Sequence, residues 1–237
     1  KYAVKHSDLT IAISQQTKQD IIDFYKIKPE KIKVIYQSCH RNFRKKSSLN
    51  MLKTVKNKFS LPENFILNVG TIETRKNLIS VINAMNIMKI DIPLVVIGKP
   101  TQYMNFLKVQ MKKIKFDISR IIFLENISIE ELPIIYRLSS LFVYPSLFEG
   151  FGIPILEALN CEIPVISSKG SCFKEAGGEY SKYIDPQNSE EFAHQIEVCL
   201  TDDKLRKTMI KEGLIHAEKF KPEVLSKQLI DVYNSLL

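Results

Sequence analysis

The segment Pro145 to Glu157, P-S-L-F-E-G-F-G-I-P-I-L-E, sets two carboxylates, Glu149 and Glu157, on either side of a glycine-rich turn. The apolar run Leu141–Tyr144 before it reads as a buried strand. Gly150 and Gly152 permit a tight strand-to-helix turn, and Pro154 suits a first helical position, where no N–H is needed. A helix starting at Ile153 would offer free amides and the positive end of its dipole to an anion lying before it. Glu157 would stand about 7 Å further along that helix, at a rise of roughly 1.5 Å per residue. Two acids so placed can serve two different groups: a ligand with a sugar at one end, a ribose at the other and a phosphate bridge between them fits the spacing. The same pair also has a reading as the acid and base of a glycoside hydrolase, which needs carboxyl groups about 5 to 9.5 Å apart.

A second constellation decides against the hydrolase. In Gly70-Thr71-Ile72-Glu73-Thr74-Arg75-Lys76-Asn77, two adjacent cations follow the strand-like run Phe65–Val69 and precede a helical pattern. Arginine can grip a phosphate through two parallel N–H bonds and lysine adds a compact charge, so together they would stabilise a diphosphate leaving group. Alone they read more readily as a solvated surface pair. Their place on the same sheet edge as the Glu149–Glu157 turn favours the site, and a hydrolase has no use for them. There is no D-x-D at a strand end to hold a divalent metal, and Asp202-Asp203 falls where a helix N-cap is expected. His6, His40, His194 and His216 are scattered and suggest no catalytic role. Cys39, Cys161, Cys172 and Cys199 form no C-x-x-C pair and read as reduced thiols of a cytoplasmic protein.

These residues need a scaffold, and the hydrophobic pattern supplies one. Phe65–Val69, Leu94–Ile97, Ile121–Leu124, Leu141–Tyr144 and Pro164–Ile166 are short apolar runs without alternation, as in strands buried on both faces. Helical periodicity fills the gaps over Asn77–Met88, Tyr103–Ile114, Ile129–Leu138 and Ile153–Leu159. Repeated strand-helix units predict an α/β fold, a Rossmann-like, doubly wound parallel sheet with right-handed crossovers. Such sheets bind ligands at the carboxyl ends of their strands, where the loops after Val69, Ile97, Leu124 and Tyr144 gather. Upstream, Asp8–Ser14 and Ile32–Tyr36 read as strands and Gln16–Tyr25 as a helix, followed by a basic stretch, Gln37–Lys58, read as a linker. Ser189–Leu200, Asp203–Phe220 and Pro222–Leu237 read as closing helices, with Pro222 breaking the run. The division expected is 1–38, 39–221 and 222–237.

The chain has 237 residues, 45% of them hydrophobic, enough for a real core in one large or two small domains. No apolar run reaches the roughly 18 residues of a membrane span, and the opening lacks a signal-peptide core. The absence of an initiator Met suggests a piece of a longer protein. The net charge of +8 gathers at Arg41, Arg44, Lys45 and Lys46, at Lys53, Lys56 and Lys58, and at Lys108, Lys112, Lys113 and Lys115. With no recognisable nucleic-acid-binding motif, solvated helix faces account for these charges better than nucleic acid does, while attraction to an anionic membrane surface stays open.

In this order and context, S-D-L-T-I-A-I-S with K-I-K-V-I-Y, G-T-I-E-T-R-K-N, L-V-V-I-G-K, the E-x7-E motif Glu149–Glu157 and Glu175-Ala176-Gly177-Gly178 form a specific set. Across about residues 8–237 the chain resembles the nucleotide-binding half of retaining GT-B glycosyltransferases, and most closely their mannosyltransferase branch. The resemblance implies that Arg75 and Lys76 hold the donor diphosphate, while Glu149 stands beside the donor sugar. The amides of Gly150, Phe151 and Gly152, at the Ile153 helix start, would meet sugar hydroxyls and phosphate. Glu157 would take the ribose hydroxyls, and Gly98, Lys99, Asn126 and Ile127 would line the base site next to Gly70 and Thr71. Where many relatives carry an arginine after the first glycine, this chain has Thr71, so Arg75 is expected to take over.

The implied activity is transfer of a hexose, mannose from GDP-mannose as first choice, to a glycan or lipid-linked acceptor with retention and without metal or other cofactor. The first 38 residues would be the remnant of an N-terminal acceptor domain, and 222–237 a helix crossing back to it. The expected location is the cytoplasm or the inner face of the membrane, and the chain alone would bind nucleotide weakly and transfer no sugar. A GT-B sugar-nucleotide epimerase and a non-catalytic nucleotide-sugar-binding module are the alternatives.

Overall fold

A strand covered on both faces needs apolar side chains at successive positions, and the central strands meet that demand. The computed structural model describes residues 2–237; residue 1 lies outside them. The chain opens with α1 (Tyr2–His6), β1 (Thr10–Ala12), α2 (Gln15–Tyr25), β2 (Ile32–Val34) and α3 (Leu49–Lys58). Strand and helix then alternate: β3 (Ile66–Val69), α4 (Leu78–Ile87), β4 (Leu94–Ile97), α5 (Tyr103–Lys113), β5 (Ile121–Leu124), α6 (Leu132–Leu138), β6 (Leu141–Tyr144), α7 (Ile153–Asn160), β7 (Val165–Ser168), α8 (Phe173–Gly177) and β8 (Lys182–Ile184). Helices α9 (Ser189–Thr201), α10 (Asp203–Ala217) and α11 (Pro222–Asn234) close the chain.

Strands β3 to β8 form one parallel sheet in the order β5-β4-β3-β6-β7-β8. The chain winds outward from β3 to β5, returns to lay β6 against β3, and winds outward the other way. The reversal leaves a crevice between the carboxyl ends of β3 and β6, the ligand-binding position of doubly wound sheets. One face of the sheet, with Leu67, Val95, Phe142 and Val165, packs on Val55 of α3, Tyr136 of α6 and Ile155 of α7. The other, with Ile66, Leu94, Val96 and Val143, packs on Val81 of α4, Leu107 of α5 and Ile196 of α9. Strands β1 and β2 pair in parallel as a separate two-stranded sheet, and Ile35 just beyond β2 shares a small core with Leu225 and Val232 of α11. No helix among the described residues is long and apolar enough to cross a membrane.

Several expected boundaries move for identifiable reasons. The supposed linker Gln37–Lys58 contains α3, capped by Ser48, whose Oγ accepts from Met51 N, and Phe43 and Val55 bury completely or nearly so in the main core. β1 is shorter than Asp8–Ser14 because Ser14 leaves the strand to cap α2, accepting from Thr17 N at 2.9 Å. α6 is regular from Leu132, and the turn leading into it from Ile129 is held by a capping box in which Ser128 and Glu131 bond each other's amides reciprocally. Asp202 caps α10 as expected, accepting from Leu205 N at 2.9 Å. The run to Phe220 is not one helix: α10 ends at Ala217 and a single tight turn, Glu218–Phe220, leads to Pro222. β8 and α8, three and five residues long, have no counterpart in the sequence reading. All four cysteines are buried and unbridged.

Candidate functional site

Arg75 and Lys76 lie in a tight turn after β3 and Glu149 in the loop after β6, so the crevice brings together residues more than seventy positions apart. Asn77 adopts a left-handed backbone (φ 54°) and its Nδ2 donates to the Pro145 carbonyl at 3.3 Å, tying the two loops. Leu147 N donates to the Arg75 carbonyl at 2.9 Å, and Arg75 Nη1 to the Phe148 carbonyl at 2.9 Å. Glu149 Oε1 then receives Lys76 Nζ at 2.7 Å, Arg75 Nη1 at 2.6 Å and the Tyr144 hydroxyl at 3.0 Å. Burial works to raise the Glu149 pKa, but the hydrogen bonds from Lys76 and Arg75 outweigh it and hold the carboxyl below its ordinary value, so it is ionised at neutral pH. The Lys76 side chain is 14% exposed and lies 4.8 Å over the Tyr144 ring, whereas Arg75 is 42% exposed.

Backbone space here is set by glycine. A Cβ on Gly98 would stand 1.9 Å from the Gly70 carbonyl oxygen, so the loops after β3 and β4 touch main chain to main chain. Gly70 (φ 148°) leaves room for the Lys76 stem, whose Cε would be 3.3 Å from a Cβ there. Thr71, where the family resemblance led to the expectation of a second phosphate cation, is exposed.

At the start of α7, Gly152 has φ 102° and caps the helix, with Pro154 at its second position. Of the residues expected there, Gly150 and Gly152 line the helix start. The Phe151 side chain does not: it is 2% exposed and packs on the rings of Tyr36 and Phe220 at 5.5 and 5.3 Å. Only its main chain is available to a ligand. Ile153 likewise packs partly buried against the core. Glu157 is one turn further along, its Oε2 accepting the Tyr136 hydroxyl at 3.0 Å. Burial pushes its carboxyl up to about 7, with the Tyr136 bond pulling only weakly the other way.

Gly98, Lys99, Asn126 and Ile127, the expected base site, line one cavity of about 330 Å³ together with Ile97 and Leu132. Asn126 has φ 56°, which turns the chain sharply after β5. A larger cavity, about 710 Å³, lies by Asn64, Pro93 and Ser140, at the amino ends of β3, β4 and β6, away from the residues expected to hold the donor. Parallel sheets place their ligands at the opposite edge, and the charge arrangement agrees.

Sequence reasoning missed four supporting groups. The Tyr144 and Tyr136 hydroxyls contact the two acids directly. Ser171 Oγ and Cys172 Sγ donate to the Glu149 carbonyl at 3.3 and 3.2 Å, fixing the loop from behind. Glu175, noted only as part of a motif, accepts from Gln15 N at 2.7 Å and Gln16 N at 3.1 Å, so it supplements the cap of α2 from across the molecule. Thr17 of that helix in turn donates to the Gly150 carbonyl at 3.2 Å. His216 Nε2 donates to the Glu175 carbonyl at 2.9 Å, and burial lowers its pKa. The only signal for the tyrosines was position: Tyr144 ends a strand at the binding edge.

A doubly wound sheet with cations, a helix start and two acids converging on its switch point has the arrangement in which open α/β sheets hold anionic ligands. Residues 52–215 match the family model of the glycosyl transferases group 1, and the chain belongs to that family. It is 29% identical over 223 residues to the serotype-specific mannosyltransferase WbdA of Escherichia coli, covering 91% of this chain and 27% of that protein. It is 28% identical over 233 residues to the O-antigen chain mannosyltransferase B of Escherichia coli, covering 96% and 61%. The structure of Anabaena Alr3699/HepE in complex with UDP and glucose superposes with a TM-score of 0.87 at 22% identity, over 98% of this chain and 64% of that one. At that identity the likeness is one of fold, and it matches the Rossmann-like half of a GT-B architecture. The chain spans 27% to 61% of the length of these two mannosyltransferases.

Proposed function

We propose that this chain is the donor-binding part of a retaining hexosyltransferase that moves mannose from GDP-mannose to a glycan or lipid-linked acceptor. The observation that carries the reading is the shared Glu149 carboxylate: two cations are held ready at a helix start, balanced by an acid that a diphosphate can replace as their partner. A diphosphate that takes over the two cations would leave the Glu149 carboxylate to accept from a sugar hydroxyl. Glu157 then takes the ribose hydroxyls and the Gly98–Ile127 cavity the base. In the transfer step the bond from sugar C1 to the diphosphate oxygen breaks, the acceptor oxygen bonds C1 on the same face, and the acceptor proton passes to the leaving phosphate. Lys76, Arg75 and the start of α7 stabilise the charge that develops on that phosphate, without a metal ion.

Mannose is favoured by the mannosyltransferase names of the relatives, and UDP and glucose in HepE support a nucleotide-sugar donor in general. The division at residues 38 and 221 belongs to the same proposal, with 1–38 and 222–237 packing as parts of an acceptor-side domain. The 237-residue chain is therefore expected to bind donor and transfer nothing by itself. Radiolabelled GDP-mannose offered with acceptor glycans to this chain, and to a longer form with an acceptor domain, tests this: transfer by the longer form only supports the reading, and robust transfer by this chain alone contradicts it. Epimerisation of a UDP-sugar in the absence of acceptor would replace it with the epimerase alternative.

A further inference from the structure

We propose that the solvent-facing side of α5 is a docking surface for an anionic lipid bilayer. Helix α5 buries Leu107 and Met111 in the core. Its opposite side presents Phe106 (46% exposed) and Val109 (63%) among exposed Lys108, Lys112 and Lys113. Exposed Lys115 and Ile118 (54%) continue the patch past the helix end. No aspartate or glutamate occurs between Asp91 and Asp117; the exposed Asp117, whose Oδ1 accepts from Ser119, is the one acid between Lys115 and Ile118, and none of the four lysines joins an ion pair among the described residues. The Phe106 ring stacks on Tyr103 at 5.3 Å, which fixes its place on this surface. Beside the helix runs an apolar groove of about 300 Å³ lined by Ile72, Pro100, Met104, Ile118 and Phe123, with Lys108 on it and Glu125 as its one acid.

A merely solvated helix face explains the lysines and leaves Phe106 and Val109 unexplained, since apolar side chains at helical spacing gain nothing by standing in water. A nucleic acid would accept the charges, but the patch has no arginine fork, and the Phe106 ring is already stacked. A bilayer carrying acidic headgroups satisfies both halves: lysine ammonium groups meet lipid phosphates while Phe106, Val109 and Ile118 enter the boundary between headgroups and acyl chains. The groove adjoins the base-site cavity at Gly98 and Glu125, but α5 itself lines none of that cavity, and the assignment does not depend on the sugar transferred.

Flotation of the 237-residue chain with vesicles tests the assignment. Vesicles of phosphatidylcholine with about 30% phosphatidylglycerol should carry the chain at low salt and release it at high salt, and pure phosphatidylcholine should carry little. Each lysine at an anionic surface is worth roughly a factor of five in partitioning, so K112Q/K113Q should weaken it roughly 25-fold, and F106S/V109S should weaken it at every salt concentration. The substituted side chains are exposed, so an unchanged melting temperature certifies the fold. No flotation of the parent chain, equal flotation with neutral vesicles, or a larger loss from K45Q/K46Q than from K112Q/K113Q would each overturn the assignment. So would capture of an RNA or an acidic protein by these lysines in a chain that floats with no vesicle.

Discussion

Donor affinity should rise about tenfold between pH 6 and pH 8, through one carboxyl group. Burial sets Glu157 to titrate at about 7 in the free protein. A group titrating there is roughly one-tenth ionised at pH 6 and nine-tenths at pH 8. Its Oε2 already accepts from Tyr136, and only the ionised form keeps both oxygens as acceptors for two ribose hydroxyls. The donor therefore draws the carboxyl toward ionisation and releases a fraction of a proton as it binds. GDP-mannose is the right ligand because its diphosphate is esterified at both ends, whereas the terminal phosphate of GDP itself ionises near pH 6. Calorimetric titrations across this range should give the slope, and repeating them at pH 7 in buffers of different ionisation enthalpy should reveal the released proton. Glu157→Gln should bind more weakly at pH 8 and show no slope. A flat profile for the parent chain, or a slope that survives in the Gln variant, refutes the assignment of Glu157 to the ribose.

The same carboxyl bears on stability with a definite sign. Its folded value lies above its ordinary 4.5, so the stability it lends is complete below that value and is lost as pH rises through about 7. The loss is at most about 3 kcal/mol, and Glu157→Gln should melt higher than the parent at pH 8 and level with it at pH 5. Lys76→Ala should weaken nucleoside diphosphate binding by roughly 1.5 to 3 kcal/mol, read by calorimetry, and an unchanged affinity would return Lys76 to the role of a surface cation. Glu175→Ala should cost about 1 kcal/mol in urea unfolding by leaving the first amides of α2 with one fewer partner; no change would mean that Ser14 caps the helix unaided. Gly98→Ala should destabilise by about 3 kcal/mol or more, because the carbonyl it meets is main chain and cannot swing away.

The strands from β3 to β7 were legible because their burial on both faces demands unbroken apolar runs, and the glycines and Pro154 marked the turn into α7. Helix α3 was hidden because Cys39, Phe43, Val55 and Leu61, which bury in its neighbourhood, are widely spaced and diluted among the nine cations from Lys31 to Lys58. β8, Lys182–Ile184, is an edge strand too short to show a pattern. At the site, Arg75, Lys76, Glu149 and Glu157 could be named from chemistry and placed on one edge. That Glu149 is itself the partner of both cations could not, because it depends on β6 returning beside β3. Phe151 was expected to offer its amide, and the sequence did not show that its ring would be anchored in the core beside Tyr36 and Phe220.

The central claim is that the crevice between β3 and β6 binds a nucleoside diphosphate sugar. Thermal melting of the chain against GDP, UDP, ADP and their mannose or glucose conjugates tests it most directly. The account predicts stabilisation by one base above the others, GDP-mannose foremost, lost in Lys76→Ala and reduced in Glu157→Gln at pH 8. No stabilisation by any of these ligands at concentrations well above ordinary cellular levels, or a shift that Lys76→Ala leaves intact, would contradict it.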